Sequence, residues 1–195
     1  METTGRKKII RENMRNHFVK NVFPGELEEK SRIISQAVVK CDFYLNSKVI
    51  MVYMPLADEV NITEIIEDSF KTGKKIVTPK CDRENCLIMP VQIECLKKDL
   101  SKGFAGILEP NGETVIEQEK IDLIIVPGRA FDETGGRLGR GKGYYDRFLQ
   151  TNTNSIKVGV AFEFQVVKDL KICTHDVRMD YLVTESRLLT FKHLN

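Results

Sequence analysis

Apolar and polar positions alternate along this chain in two distinct rhythms. Residues 6–20 and 26–40 predict helices. In the second, Leu27, Ile33, Ile34, Ala37 and Val38 fall near one face. Between them NVFPGE breaks the pattern with Pro24 and Gly25. Lys48–Met54 is a short apolar run rich in β-branched residues and predicts a buried strand, ended by Pro55. Asn61 then predicts a helix start, with Glu64 three positions on as in a capping box, and Gly73 a stop. Strands are expected at 75–78, at 86–94 (a sheet edge, because of Pro90), at 121–126, at 156–161 and at 181–184, with a helix from about Gly143 to Leu149. The segment 101–112 is rich in turn residues.

Strands that alternate with helices predict an α/β fold around a mostly parallel sheet. At 195 residues, without repeat or linker, one domain over 1–195 is expected. In such sheets, sites gather at the carboxyl ends of strands. Two chemically loaded segments fall there: residues 56–61 after the first strand and 127–143 after the run IDLIIV.

Composition changes this picture little. The net charge of +2 gives no bulk argument for a nucleic-acid or membrane partner, and none is expected. No apolar stretch reaches the ~18 residues of a membrane span. Five cysteines without a CxxC pair suggest reduced, inert thiols and a cytoplasmic protein.

The segment PGRAFDETGGRLGRGKGYYDRFL, residues 127–149, carries the chemistry. Gly135, Gly136, Gly139, Gly141 and Gly143 allow backbone N–H groups to turn toward an anion. Arg137, Arg140, Lys142 and Arg147 bring positive charge, and the predicted helix start adds its own. Together they describe a phosphate cradle; composition alone leaves open a solvated surface loop. Gly136, Gly141 and Lys142 fit GxxxxGK, but Gly143 stands where a P-loop has Ser or Thr. A magnesium ion therefore needs carboxylates, and Asp146 is the nearest. Lys7 and Arg11 share a helix face, and Arg15 continues the stripe; a solvated face and an anion contact both fit. Asp58 and Glu59 suit a helix start as well as a ligand. His175 and Asp176 read as structural, and His17 and His193 as exposed or incidental.

The run RLGRGKGYYD, with KxxxR near the amino terminus, DE after the first strand and RMD near residue 180, resembles the 5-formyltetrahydrofolate cyclo-ligase family over nearly the whole chain. The resemblance implies a layered, Rossmann-like single domain. It implies closure of 5-formyltetrahydrofolate to 5,10-methenyltetrahydrofolate, with ATP as co-substrate, magnesium as cofactor, and ADP and phosphate as products. Lys7, Arg11 and the stretch Arg137, Leu138, Gly139, Arg140, Gly141, Lys142, Gly143, Tyr144 and Tyr145 would contact ATP. Lys142 and Arg140 would sit near the transferring phosphate. Met54, Glu59 and Arg140 to Tyr144 would face the folate, and Asp146 with Asp180 would hold magnesium. The partners implied are small molecules, with a monomer or weak homodimer as the expected state. A small-molecule kinase or a sugar-phosphate isomerase of similar fold is the competing reading, since a phosphate cradle serves those too.

Overall fold

The computed structural model describes residues 2–21, 23–103, 106–171 and 176–191; His175, Cys173 and His193 lie outside them. The helices are α1 (Glu2–Asn21), α2 (Pro24–Val38), α3 (Asp42–Leu45), α4 (Thr63–Lys71) and α5 (Tyr144–Thr151). The strands run from β1 (Val49–Met51), β2 (Lys75–Asp82) and β3 (Leu87–Ile93) through β4 (Leu100–Lys102), β5 (Leu108–Pro110) and β6 (Leu123–Val126). They continue with β7 (Ala130–Asp132), β8 (Arg137–Leu138), β9 (Ile156–Val160), β10 (Val166–Val167), β11 (Tyr181–Val183) and β12 (Leu188–Thr190).

Seven strands form the main sheet in the order β12-β11-β9-β6-β1-β2-β3. The five inner strands pair in parallel, and β3 and β12 close the edges antiparallel. This is the expected α/β, mostly parallel architecture. After β1 the chain builds outward to β2 and β3; from β6 it builds the other way, to β9, β11 and β12. The order therefore reverses between β1 and β6, and the crevice beyond their carboxyl ends is where such sheets bind ligands.

Alternation along each strand separates two cores. Ile50, Leu123, Ile125, Val158 and Val160 face Ile34 and Val38 of α2 and Ile65 and Ile66 of α4. Met51, Ile124 and Val126 face the other way, against Phe131 of β7 and Phe148 and Leu149 of α5. Strands covered on both faces have no polar alternation, which is why IDLIIV is the clearest strand signal in the chain. β2 runs beyond the expected Thr78, through Pro79. That residue faces Pro90 across the antiparallel pair, so both missing N–H groups fall on one rung.

Two local expectations change. The helix expected at Asn61 starts at Thr63, with Ile62 in the cap position and no capping box. Asn61 lies one residue outside, where its Oδ1 accepts from the Thr63 N–H at 3.1 Å. The glycine-rich segment is not loop throughout: β7 and β8 form a hairpin inside it, and β10 pairs beside β7.

Asp132 holds that hairpin. Its buried carboxylate accepts from Thr134 N at 2.9 Å, Thr134 Oγ1 at 2.7 Å, Gly136 N at 2.9 Å and Leu170 N at 3.0 Å. Burial raises the carboxyl's pKa, but the bonds from Leu170, Thr134 and Gly136 outweigh it and hold the group below its ordinary value. Asp132→Asn turns one acceptor into a donor facing an N–H, and is expected to destabilise the protein by about 2 kcal/mol at neutral pH in urea unfolding. The wild-type advantage is complete above the ordinary carboxylate pKa and is lost as pH falls through the lower folded value. The gap between the two proteins therefore closes toward acid pH; a gap that is constant with pH would refute the charge argument.

Candidate active site

The segment after β1 turns back over the end of the sheet. Tyr53 is buried, and its hydroxyl donates to Val60 O at 2.6 Å, fixing the width of the turn. Met54, expected at a ligand, packs into the core beside them at 7% exposure. Asn61 N donates to Ser31 Oγ at 3.0 Å, which ties the turn to α2. Glu59 lies at the crest. Its side chain is 10% exposed, and Oε2 accepts from Leu56 N at 3.1 Å.

The glycine-rich segment faces this turn. Arg137 is buried at 3% exposure, donating to Pro127 O at 3.1 Å and to Asp146 Oδ1 at 2.5 Å. It therefore braces the segment from behind, with its guanidinium over the Tyr145 ring. Leu138 packs under α1 with Ile10 and Met14, so its side chain serves the core. Gly141 and Gly143 have φ of 102° and 72°, backbone that L side chains rarely adopt. Gly143 also caps α5. Lys142 between them is exposed, while its carbonyl accepts from Arg147 at 2.9 Å. Arg147 lies over the Tyr144 ring and donates to Cys86 O at 3.0 Å, fastening the start of α5 to the β2–β3 hairpin.

Arg140 joins the two segments. Its Nε and a terminal nitrogen donate to Glu59 Oε1 at 3.0 and 2.9 Å, and the same terminal nitrogen reaches Asp58 Oδ1 at 2.5 Å. Asp58 Oδ2 is held by Arg129. Burial opposes charge on both Arg140 and Asp58. The mutual pairing wins, holding the Arg140 pKa up and, with Arg129, the Asp58 pKa down.

Helix α1 supplies the third side. Arg11 Nε donates to Gly139 O at 2.8 Å, and Lys7 Nζ meets Asp176 at 2.6 Å. Burial lowers the Arg11 pKa against the pull of Asp146 and Asp176, so both carboxylates lie in its field. Asp180 is not brought to Asp146. It precedes β11 at the opposite, amino end of the sheet, where its Oδ2 accepts from Lys157 N at 2.7 Å. Asp176 is the carboxylate that lies with Asp146 in the field of Arg11. The sequence signal for it was the HD pair, read above as structural. His17, expected to be incidental, stacks on Phe164 with ring centroids 4.4 Å apart.

The crevice thus collects Lys7, Arg11, Arg137, Arg140, Asp146 and Glu59, with Asp58 beside it, and adds Arg129 and Asp176. Two buried polar atoms here, Arg137 Nε and the Tyr145 hydroxyl, have no hydrogen-bond partner among the described residues. Unsatisfied polar atoms, cations and left-handed glycines suit a polyanionic ligand on one side, and the carboxylates suit a ligand with N–H donors or a hard cation on the other.

Comparison with known proteins agrees. The sequence model of the 5-formyltetrahydrofolate cyclo-ligase family matches residues 3–185. A probable 5-formyltetrahydrofolate cyclo-ligase of Schizosaccharomyces pombe is 32% identical over 84% of this chain and 87% of its own length. The 5-formyltetrahydrofolate cyclo-ligase of Mus musculus is 32% identical over 80% and 82%. The NMR structure of 5,10-methenyltetrahydrofolate synthetase from Aquifex aeolicus superposes with a TM-score of 0.83 at 31% identity, covering 100% of this chain and 95% of that one. Among the described residues no helix is long and apolar enough to cross a membrane.

Proposed function

We propose that this chain, which belongs to the 5-formyltetrahydrofolate cyclo-ligase family, uses ATP to close 5-formyltetrahydrofolate into 5,10-methenyltetrahydrofolate. The observation that carries the reading is Arg140, which bridges the carboxylates after β1 and the glycine-rich segment after β6. A reaction that passes a phosphoryl group from a nucleotide to a folate needs that junction.

Ring closure must expel the formyl oxygen, which is a poor leaving group. In the proposed reaction that oxygen attacks the γ-phosphorus of ATP, and the bond to ADP breaks. N10 then attacks the activated formyl carbon, loses its proton, and phosphate departs. The protein's task is alignment and charge stabilisation. Glu59 accepts hydrogen bonds from pterin N–H groups. Lys7, Arg11 and Lys142 surround the phosphates, with Arg140 nearest the folate. Arg137 holds the segment in shape. Magnesium, when bound, would neutralise phosphate charge. Asp146, half exposed at the start of α5, would hold it, with Asp176 in the place first given to Asp180.

The deciding experiment follows the absorbance of the methenyl product from 5-formyltetrahydrofolate with and without ATP, with phosphate release measured alongside. ATP-dependent methenyl growth with stoichiometric free phosphate supports the reading. A phosphorylated organic product would instead identify a kinase. Asp146→Asn and Asp176→Asn are each expected to raise the magnesium concentration for half-maximal rate by about tenfold or more. Asp180→Asn should leave it unmoved. A shift for Asp180→Asn and none for Asp176→Asn would reverse the assignment.

A further inference from the structure

Asp58 carries two guanidinium groups in different circumstances. Arg129 holds Oδ2 with a side chain 13% exposed, and its backbone N–H is fixed to Leu138 O at 2.7 Å. Arg140 holds Oδ1 from a side chain 38% exposed, on backbone between Gly139 and Gly141. Arg129 is thus the more enclosed counter-ion and Arg140 the more exposed one. In the state described, Arg140 also covers Glu59 Oε1 twice, while Leu56 N covers Oε2. A pterin that donates N–H groups to Glu59 competes directly with Arg140.

We propose that Arg129 is a positioning residue that allows Arg140 to pass from Asp58 and Glu59 to the ATP phosphates when folate arrives, so that each substrate strengthens binding of the other. The inference rests on the folate and ATP assignment above. Its physical basis is the cost of leaving a half-buried carboxylate without a cation. Folate releases Arg140 from Glu59. Release from Asp58 is tolerable only because Arg129 remains there. Without Arg129, Asp58 keeps Arg140 even when Glu59 is occupied, and the two sites no longer communicate. Coupling between binding sites is reciprocal, so the same factor must appear in both titration orders.

The test is calorimetric titration of a non-hydrolysable ATP analogue with magnesium, alone and at saturating 5-formyltetrahydrofolate, and the reverse. Wild type is expected to bind the analogue about tenfold more tightly with folate present. In Arg129→Met that ratio falls toward one, and the analogue alone binds more weakly. The double variant Arg129→Met/Asp58→Asn removes the stranded charge with its partner, and is expected to recover the ratio. Packing damage would lower the melting temperature and both affinities without recovery in the double variant. If Arg129→Met does not fold, the double variant, with no bare charge, carries the test through its own ratio. A wild-type ratio of one, an unchanged ratio in Arg129→Met, or no coupling in the double variant each overturns the proposal. Wild type that binds both ligands without coupling removes the role of Arg129 alone. Wild type that binds neither removes the functional reading on which it rests.

Discussion

Replacing Lys142 with alanine is expected to lower turnover by about a hundred- to a thousandfold while the folded protein is unchanged. A cation aimed at charge that develops in the transition state is worth that much when it is preorganised. Lys142 lies between two glycines in left-handed conformation, next to the cap residue of α5, so the backbone sets where its side chain starts. Its side chain is exposed, and the bond from Arg147 goes to its carbonyl. Alanine keeps that carbonyl. The variant should therefore match wild type in circular dichroism and thermal unfolding and differ in rate. Because the interaction is strongest in the transition state, kcat should fall more than KM for ATP rises. Near wild-type kcat in a folded Lys142→Ala protein would remove Lys142 from the catalytic set.

Glu59→Gln is expected to weaken 5-formyltetrahydrofolate by roughly ten- to a hundredfold, the loss of a charge-assisted hydrogen bond of about 1.5–3 kcal/mol. Glutamine keeps the size and one acceptor. In this setting it must turn its amide nitrogen toward either Arg140 or the Leu56 N–H, both of which donate. The crest of the turn then loses its fit for N–H donors. ATP affinity should not weaken, because Arg11, Lys142 and the glycines are untouched and the variant side chain holds Arg140 less firmly than the carboxylate does. Separate titrations of each ligand read the difference. Equal weakening of both ligands, or unchanged folate affinity, would return Glu59 to the role of an acid near a helix start.

Much of this arrangement was legible because the fold obeys local rules. The β1 and β6 runs are apolar on both faces, and their ends are marked by Pro55 and by Pro127-Gly128. That sufficed to place two loaded segments at one end of a parallel sheet. The hairpin of β7 and β8 was not legible. Arg137 reads as a cation of the phosphate cradle, yet it is buried, with Asp146 and Pro127 O as partners, and neither partner is adjacent in sequence. Short strands such as β4, β5 and β12 carry too few residues to show a period. The resemblance names Asp180 beside Asp146, while Asp176 reads as structural, and the sequence does not show which of the two lies at this end of the sheet. Four positions separate them, but the first residues of β11 lie one strand length from its carboxyl end, and only the sheet register tells which aspartate faces the crevice.

The tie between Lys7 and Asp176 spans 169 positions, and that between Arg11 and Gly139 spans 128. A ribosome adds about 5–20 residues per second, so α1 emerges roughly ten to thirty seconds before its last partner. Throughout that interval its cations have no carboxylate from Asp176, and for most of it Ile10 and Met14 await Leu138. The nascent chain can assemble β1 to β3 and both helices that cover them while the end of the sheet that α1 covers is still incomplete. In the proposed reaction, competence to use ATP is thus acquired late in synthesis, when α1 closes over that end.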